Sequence, residues 1–211
     1  AISIDDLLRD GYKSIFIGTG VWRPNALHVK GETLGHVHYG IHYLNNPDSF
    51  HLGERVIVIG AGNAAMDVAR TALRKGVRQL QCFSRDSSVA ASKSEYDYAV
   101  LEGVEFVYCK MPVEIRDEGV VFADTEETEG GSVCRIEGTE KLYPADSVVR
   151  TTPGLDADVF GLLVTDDSGH TSRPEIFASG DVVNGARTVV EAVAHSKKVA
   201  EAMDLYMRGV E

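Results

Sequence analysis

The sequence predicts an α/β protein: a Rossmann-like parallel sheet carrying an antiparallel β-meander. Three stretches carry that prediction. Residues 55–86, RVIVIGAGNAAMDVARTALRKGVRQLQCFSRD, read as strand, glycine turn, amphipathic helix and second strand, one βαβ unit. Residues 114–146 alternate short β-prone runs with acidic, glycine-rich turns, as antiparallel strands do. Residues 173–194, RPEIFASGDVVNGARTVVEAVA, carry a small-residue strand into Gly180-Asp181 and then into a helix.

In chain order, SIDDLLRDG (3–11) predicts a short helix, with Ser3 as N-cap, Asp5 and Asp6 in the first turn and Gly11 closing it. SIFIGTG (14–20) predicts a strand running into glycine turns. Residues 21–50 hold Pro24, Gly31, Gly35, Gly40 and Pro47 and read as irregular chain, with a short helix near His38 to Leu44. Val56 to Ile59 is the unbroken apolar run of a parallel strand covered on both faces. Ala64, Ala65, Val68, Ala69, Ala72 and Leu73 then fall on one helical face, Gly76 caps it, and Gln79 to Phe83 is the next strand. A second helix spans 92–102, closed by Gly103, and leads to the strand 104–108. SVV (147–149) returns to the parallel sheet, GLLVTDDSGH (161–170) reads as strand and turn, and a long helix runs from about residue 187 to 207.

Composition narrows the function. The chain has 211 residues, 44% hydrophobic and 25% charged, and its net charge is −11. Such an acidic chain lacks the basic face that a nucleic-acid binder presents, so no nucleic-acid partner is expected. No apolar run reaches the ~18–20 residues of a membrane span. Cys82, Cys109 and Cys134 are odd in number and form no C-x-x-C, which argues against a zinc knuckle or redox dithiol and suits a reducing, cytoplasmic setting. Cys82, in an apolar run, reads as a small buried hydrophobe.

Gly60-Ala61-Gly62-Asn63-Ala64-Ala65 has the pattern G-x-G-x-x-A between an apolar strand and an amphipathic helix, the context that a dinucleotide turn requires. Gly60 permits the tight turn, Gly62 leaves the pyrophosphate room, and Ala65 lets helix and strand approach. The next strand ends Phe83-Ser84-Arg85. An NAD site puts an acid there for the ribose 2′-hydroxyl, whereas an NADP site needs a cation. Arg85 can fork onto a phosphate, Ser84 can donate to one and Lys93 can add a second charge, so NADP is favoured over NAD; Asp86 pulls the other way. Gly180 and Asp181 close a strand in the manner of a flavin site, where the Asp can hold a ribose or ribityl hydroxyl. His36, His38 and His42 have no strong ligand spacing, and no metal is expected. His195, on the last helix, is expected to be partly buried and hydrogen-bonded.

With these motifs placed, the chain resembles the flavoproteins related to the small chain of glutamate synthase, within the wider pyridine nucleotide–disulfide oxidoreductase-like group. The resemblance rests on GYKSIFIGTG (11–20), VKGETLGHVHYGIHYL (29–44), VIVIGAGNAAMDVARTALRKG (56–76), LEGVEF (101–106) and FASGDVVNGARTVVEAVAHSKKVAEAM (177–203). It implies an NAD(P)H-binding domain (51–150) inserted into a partial FAD-binding domain made of 1–50 and 151–211, with the first flavin glycine turn upstream of residue 1. It also implies that Gly18, Thr19 and Gly20 form the turn beside the flavin nucleotide, that Gly180 and Asp181 meet the ribityl chain, and that Thr188, Val189 and Val190 open the helix near the flavin ring. Gly60, Gly62, Asn63, Ala64 and Ala65 are then the NAD(P)H turn.

Two departures stand out. The family's second arginine after Arg85 is Asp86 here, and after SVV the chain goes at once to Arg150-Thr-Thr-Pro, without the family's longer crossover. The activity implied is hydride transfer from NADPH to FAD, then electron transfer to an iron–sulfur domain or subunit. No acid–base residue is needed, so none is read as catalytic. The alternatives are a nucleotide-binding or interaction module without turnover, and a disulfide reductase whose dithiol lies upstream.

Overall fold

The computed structural model describes residues 3–21, 26–128, 130–151, 166–185 and 187–209. They fall into two compact units, Ala26–Thr152 and the combination of Ala1–Asn25 with Pro153–Glu211.

The central unit is built on a five-stranded parallel sheet. In chain order its strands are β2 (Val37–Tyr39), β3 (Arg55–Ile59), β4 (Gln79–Phe83), β5 (Glu105–Val107) and β10 (Ser147–Arg150), and their spatial order is β2-β10-β3-β4-β5. The unbroken apolar run of β3 has the expected reason. Val56 and Val58 face a helical layer, α2 (Gly40–Asn45) and α3 (Asn63–Arg74), while Ile57 and Ile59 face the meander. On the helical side Ala65, Met66, Val68, Ala69 and Ala72 are all buried, so small side chains let α3 lie close to the sheet. Gly40 makes the same approach possible for α2: a Cβ there would lie 2.9 Å from Thr151 Cγ2 and 3.2 Å from Val68 Cγ2. Helix α4 (Lys93–Leu101) lies within the expected span and is capped by Ser92, and Arg70 of α3 bonds Glu95 and Glu102, tying the two helices. Cys82 is fully buried in this layer, and burial pushes its thiol pKa up to about 12.

The meander comprises β6 (Lys110–Arg116), β7 (Gly119–Glu127), β8 (Val133–Arg135) and β9 (Lys141–Pro144). β6 runs antiparallel along one edge of β7, and β8 and β9 share the other. Phe122 of β7 stacks on Phe83 at 4.0 Å between centroids, with Tyr143 edge-on to both, and this aromatic contact joins the meander to the sheet.

Two features differ from the sequence reading. Residues 37–39 form a strand, β2, where irregular chain is expected; its register on β10 pairs Val37 with Val148. Residues 26–50 pack with the central unit, through β2 and α2, whereas the expected division ends the first segment at residue 50. The expected strand at 161–165 and the chain that follows Thr151 as far as residue 165 lie outside the described residues.

The outer unit contains α1 (Ile4–Arg9), β1 (Ile15–Ile17), β11 (Ile176–Ala178), α5 (Asp181–Asn184) and α6 (Val189–Gly209). Ser3 and Asp6 cap α1 reciprocally. β1 and β11 pair in parallel, and Ile17, Ile176, Ala178 and Val182 form the core.

Candidate nucleotide sites

The G-x-G-x-x-A turn sits at the C-terminal edge of the parallel sheet, the edge at which such sheets bind ligands. Gly60 has φ +125°, and a Cβ there would meet Thr151 Oγ1 at 2.4 Å. Gly62 is the N-cap of α3, with ordinary φ and open space where a Cβ would stand. It has no side chain to cap the helix, and no side-chain hydrogen bond caps the start of α3 among the described residues; the Ala65 N–H turns back to the Gly62 carbonyl at 2.9 Å. Ala64 is exposed and Ala65 is buried against the sheet.

The loop after β4 is tied to this turn. Asn63 Oδ1 accepts the Ser92 N–H at 2.8 Å, and the Ala61 carbonyl accepts N–H groups from Ala90 and Ala91. Asn63 thus ties the turn to the loop. Ser84 is buried, donates to the Ser88 carbonyl at 2.9 Å and accepts from the Asp86 N–H, so its hydroxyl hydrogen shapes the loop. The Arg85 guanidinium is exposed and lies 3.5 Å from the Asp86 carboxylate. Lys93, exposed at the start of α4, bonds Asp97 at 2.9 Å, and that bond raises its pKa.

Sequence reasoning missed the other end of the same edge. Arg150, at the end of β10, is buried, bonds Glu32 Oε2 at 2.7 Å and lies 3.9 Å over the Tyr39 ring at the end of β2. Its only sequence signal is an arginine ending an apolar strand. The three histidines diverge: His36 Nε2 meets the Arg116 carbonyl, His38 packs on Phe50 and His42 packs on Tyr39.

In the outer unit, a cleft of about 430 Å³ opens among Gly18, Gly20, Gly180, Asp181, Thr188 and Val189. Its volume is in the range of small-molecule sites. Gly20 and Gly180 have φ of +72° and +80°, conformations that glycine adopts at little cost. Thr19 lies between the two glycines of its turn. Asp181 Oδ1 accepts the Arg187 N–H at 3.2 Å, which shapes the link to α6. Thr188 and Glu191 cap α6 reciprocally, and the Thr188 hydroxyl holds the Glu191 carboxyl below its usual pKa. Val189 and Val190 are 79% and 78% exposed, an apolar doorstep at the start of the helix.

The family model of the pyridine nucleotide-disulphide oxidoreductases matches residues 5–196. The chain belongs to this family. It is 28% identical to the glutamate synthase [NADPH] small chain of Escherichia coli (strain K12), over 96% of this chain and 52% of that protein. It is 32% identical to the NADP(+)-dependent formate dehydrogenase subunit beta of Moorella thermoacetica, over 98% of this chain and 33% of that protein. The chain thus spans about half or less of these relatives. Among solved structures, T. acidophilum thioredoxin reductase superposes with a TM-score of 0.71 at 21% identity, covering 94% of this chain and 66% of that one. That likeness shows the fold, an α/β arrangement with a parallel sheet and an antiparallel meander. No helix among the described residues is long and apolar enough to cross a membrane.

Proposed function

We propose that this chain is the nucleotide-binding part of an NADPH-dependent flavin oxidoreductase that passes electrons to an iron–sulfur domain or subunit. The observation that carries the reading is the Gly60–Gly62 turn: a glycine in a conformation that side chains avoid, then an open glycine at the N-cap of a buried-face helix, in a chain of this family. In this reading the central unit takes NADP(H). Its pyrophosphate lies at Gly62 and the start of α3, and Arg85 meets the 2′-phosphate. The outer unit holds part of a flavin dinucleotide at Gly18, Thr19, Gly20, Gly180, Asp181, Thr188, Val189 and Val190. The cleft there offers backbone room at the glycines, a carboxylate at Asp181 and apolar surface at Val189, which suit a polar chain joined to a flat ring. When bound, the flavin supplies the hydride and single-electron chemistry. This chain's residues bind and orient.

NADP over NAD rests on Arg85 and on relatives whose names carry NADPH or NADP(+). Calorimetric titration with NADP⁺ and with NAD⁺ tests it. The expected result is tighter NADP⁺ binding that drops about tenfold or more in Arg85→Ala, the worth of one charge-assisted contact. Preference for NAD⁺ would assign the ribose to Asp86 and overturn the NADP reading.

A further inference from the structure

Beside the outer cleft runs a short relay of hydroxyl and imidazole groups. Ser179, at the end of β11, is 1% exposed, and its Oγ lies 2.9 Å from both His195 Nδ1 and Ser196 Oγ. His195 Nε2 lies 3.1 Å from the Asp167 carbonyl oxygen. A carbonyl can only accept, so Nε2 carries the hydrogen and, in the neutral ring, Nδ1 offers a lone pair. Ser179 must then donate to Nδ1, because two lone pairs at that distance would repel. The Asn184 amide, at 3.4 Å from Nδ1, is the more distant neighbour. The one hydrogen of Ser179 is thereby used, so Ser196 donates to Ser179 and its own hydrogen is used as well. What Ser196 has left is acceptor capacity only.

Ser179 and Ser196 line the same cleft as Gly180 and Asp181. The Asp181 carboxylate is also acceptor-only. The Ser196 and Asp181 oxygens therefore suit a ligand group that brings hydrogens, such as the hydroxyls of a polyol chain. Arg187 and Lys197 line the same cleft.

We propose that Ser196 is a positioning residue that accepts a hydrogen bond from a hydroxyl of the flavin's ribityl chain, its polarity set by His195 through Ser179. The inference rests on the flavin reading of this cleft and deepens it.

The test is a fluorescence titration at pH 8 with riboflavin, which has the polyol, and with lumiflavin, which has the same ring without it. Tighter binding of riboflavin is expected, with Ser196→Ala weakening riboflavin about five- to tenfold and leaving lumiflavin unchanged. Equal loss for both ligands, no loss for either, or equal affinities in the unaltered protein would overturn the proposal. Nitrogen-15 NMR of the His195 ring supplies a ligand-free readout: the Nε2–H tautomer is expected, and the Nδ1–H tautomer would reverse the relay and sink it. If neither flavin binds while the Nε2–H tautomer is present, the flavin reading itself fails and the polyol assignment goes with it.

Discussion

Gly60 and Gly62 stand two residues apart and serve different ends. At Gly60 the backbone conformation and Thr151 both exclude a side chain; at Gly62 neither does. Gly60→Ala should therefore cost stability, on the order of 1–3 kcal/mol by urea unfolding. Gly62→Ala should stay within about 1 kcal/mol of the parent yet lose NADP⁺ affinity by tenfold or more, because its methyl group would occupy the phosphate's place. The reverse pattern would show that the turn is structural only. The local settings of these glycines and of Ala65 are legible in the sequence because each depends on its immediate neighbours. Those of Asn63 and Ser84 are not. Asn63 bonds a residue 29 positions away, and the Ser84 hydrogen goes to a loop carbonyl whose position depends on the fold.

At the scale of elements, legibility follows how local the cause is. Helix α4 is read correctly because Ser92 and Gly103 bound it within the sequence. β2 escapes because three residues carry too little periodicity, and what makes them a strand is β10, more than a hundred residues later. β6 begins at Lys110, four residues before the expected meander, because Lys110 pairs with Asp124 across β7. The entries to β3 and β10 meet at Asp146, whose carboxylate accepts the Glu54 and Arg55 N–H groups and the Arg55 guanidinium. The Arg55 bonds hold its pKa below the ordinary 3.8. A carboxyl depressed in the folded state stabilises above its unfolded pKa, and that contribution disappears as pH falls through the folded value. Asp146→Ala should thus lose about 1–2 kcal/mol near neutral pH, and the gap to the parent should close as the pH is lowered below 3.8. A gap of constant size down to pH 2 would refute this.

For the whole molecule, the two units differ in what they bury. The central sheet has a packed layer on each face, whereas the outer unit buries, among the described residues, the small cluster Ile17, Ile176, Ala178 and Val182, with Phe177 and Val199 also covered. Amide hydrogen exchange should accordingly be slowest in β3, β4 and β10 and markedly faster in β1 and β11. Equal protection throughout would mean that the units open together. The parallel sheet, the meander and the closing strand are all legible from local patterns. The assignment of residues 26–50 to the central unit is not, because the contacts that place them, such as the bridge of Lys30 with Glu114, join distant parts of the chain.

The parallel pairing of β1 with β11 also sets a timetable. Ile15 must wait for Ile176, about 160 residues later, which at roughly 5–20 residues per second is some ten to thirty seconds of synthesis. Every described strand of the central unit emerges within that interval. Those described strands are all made while β1 still lacks β11, and during that wait the edge that β11 covers is open to a chaperone or to the β11 of a neighbouring chain.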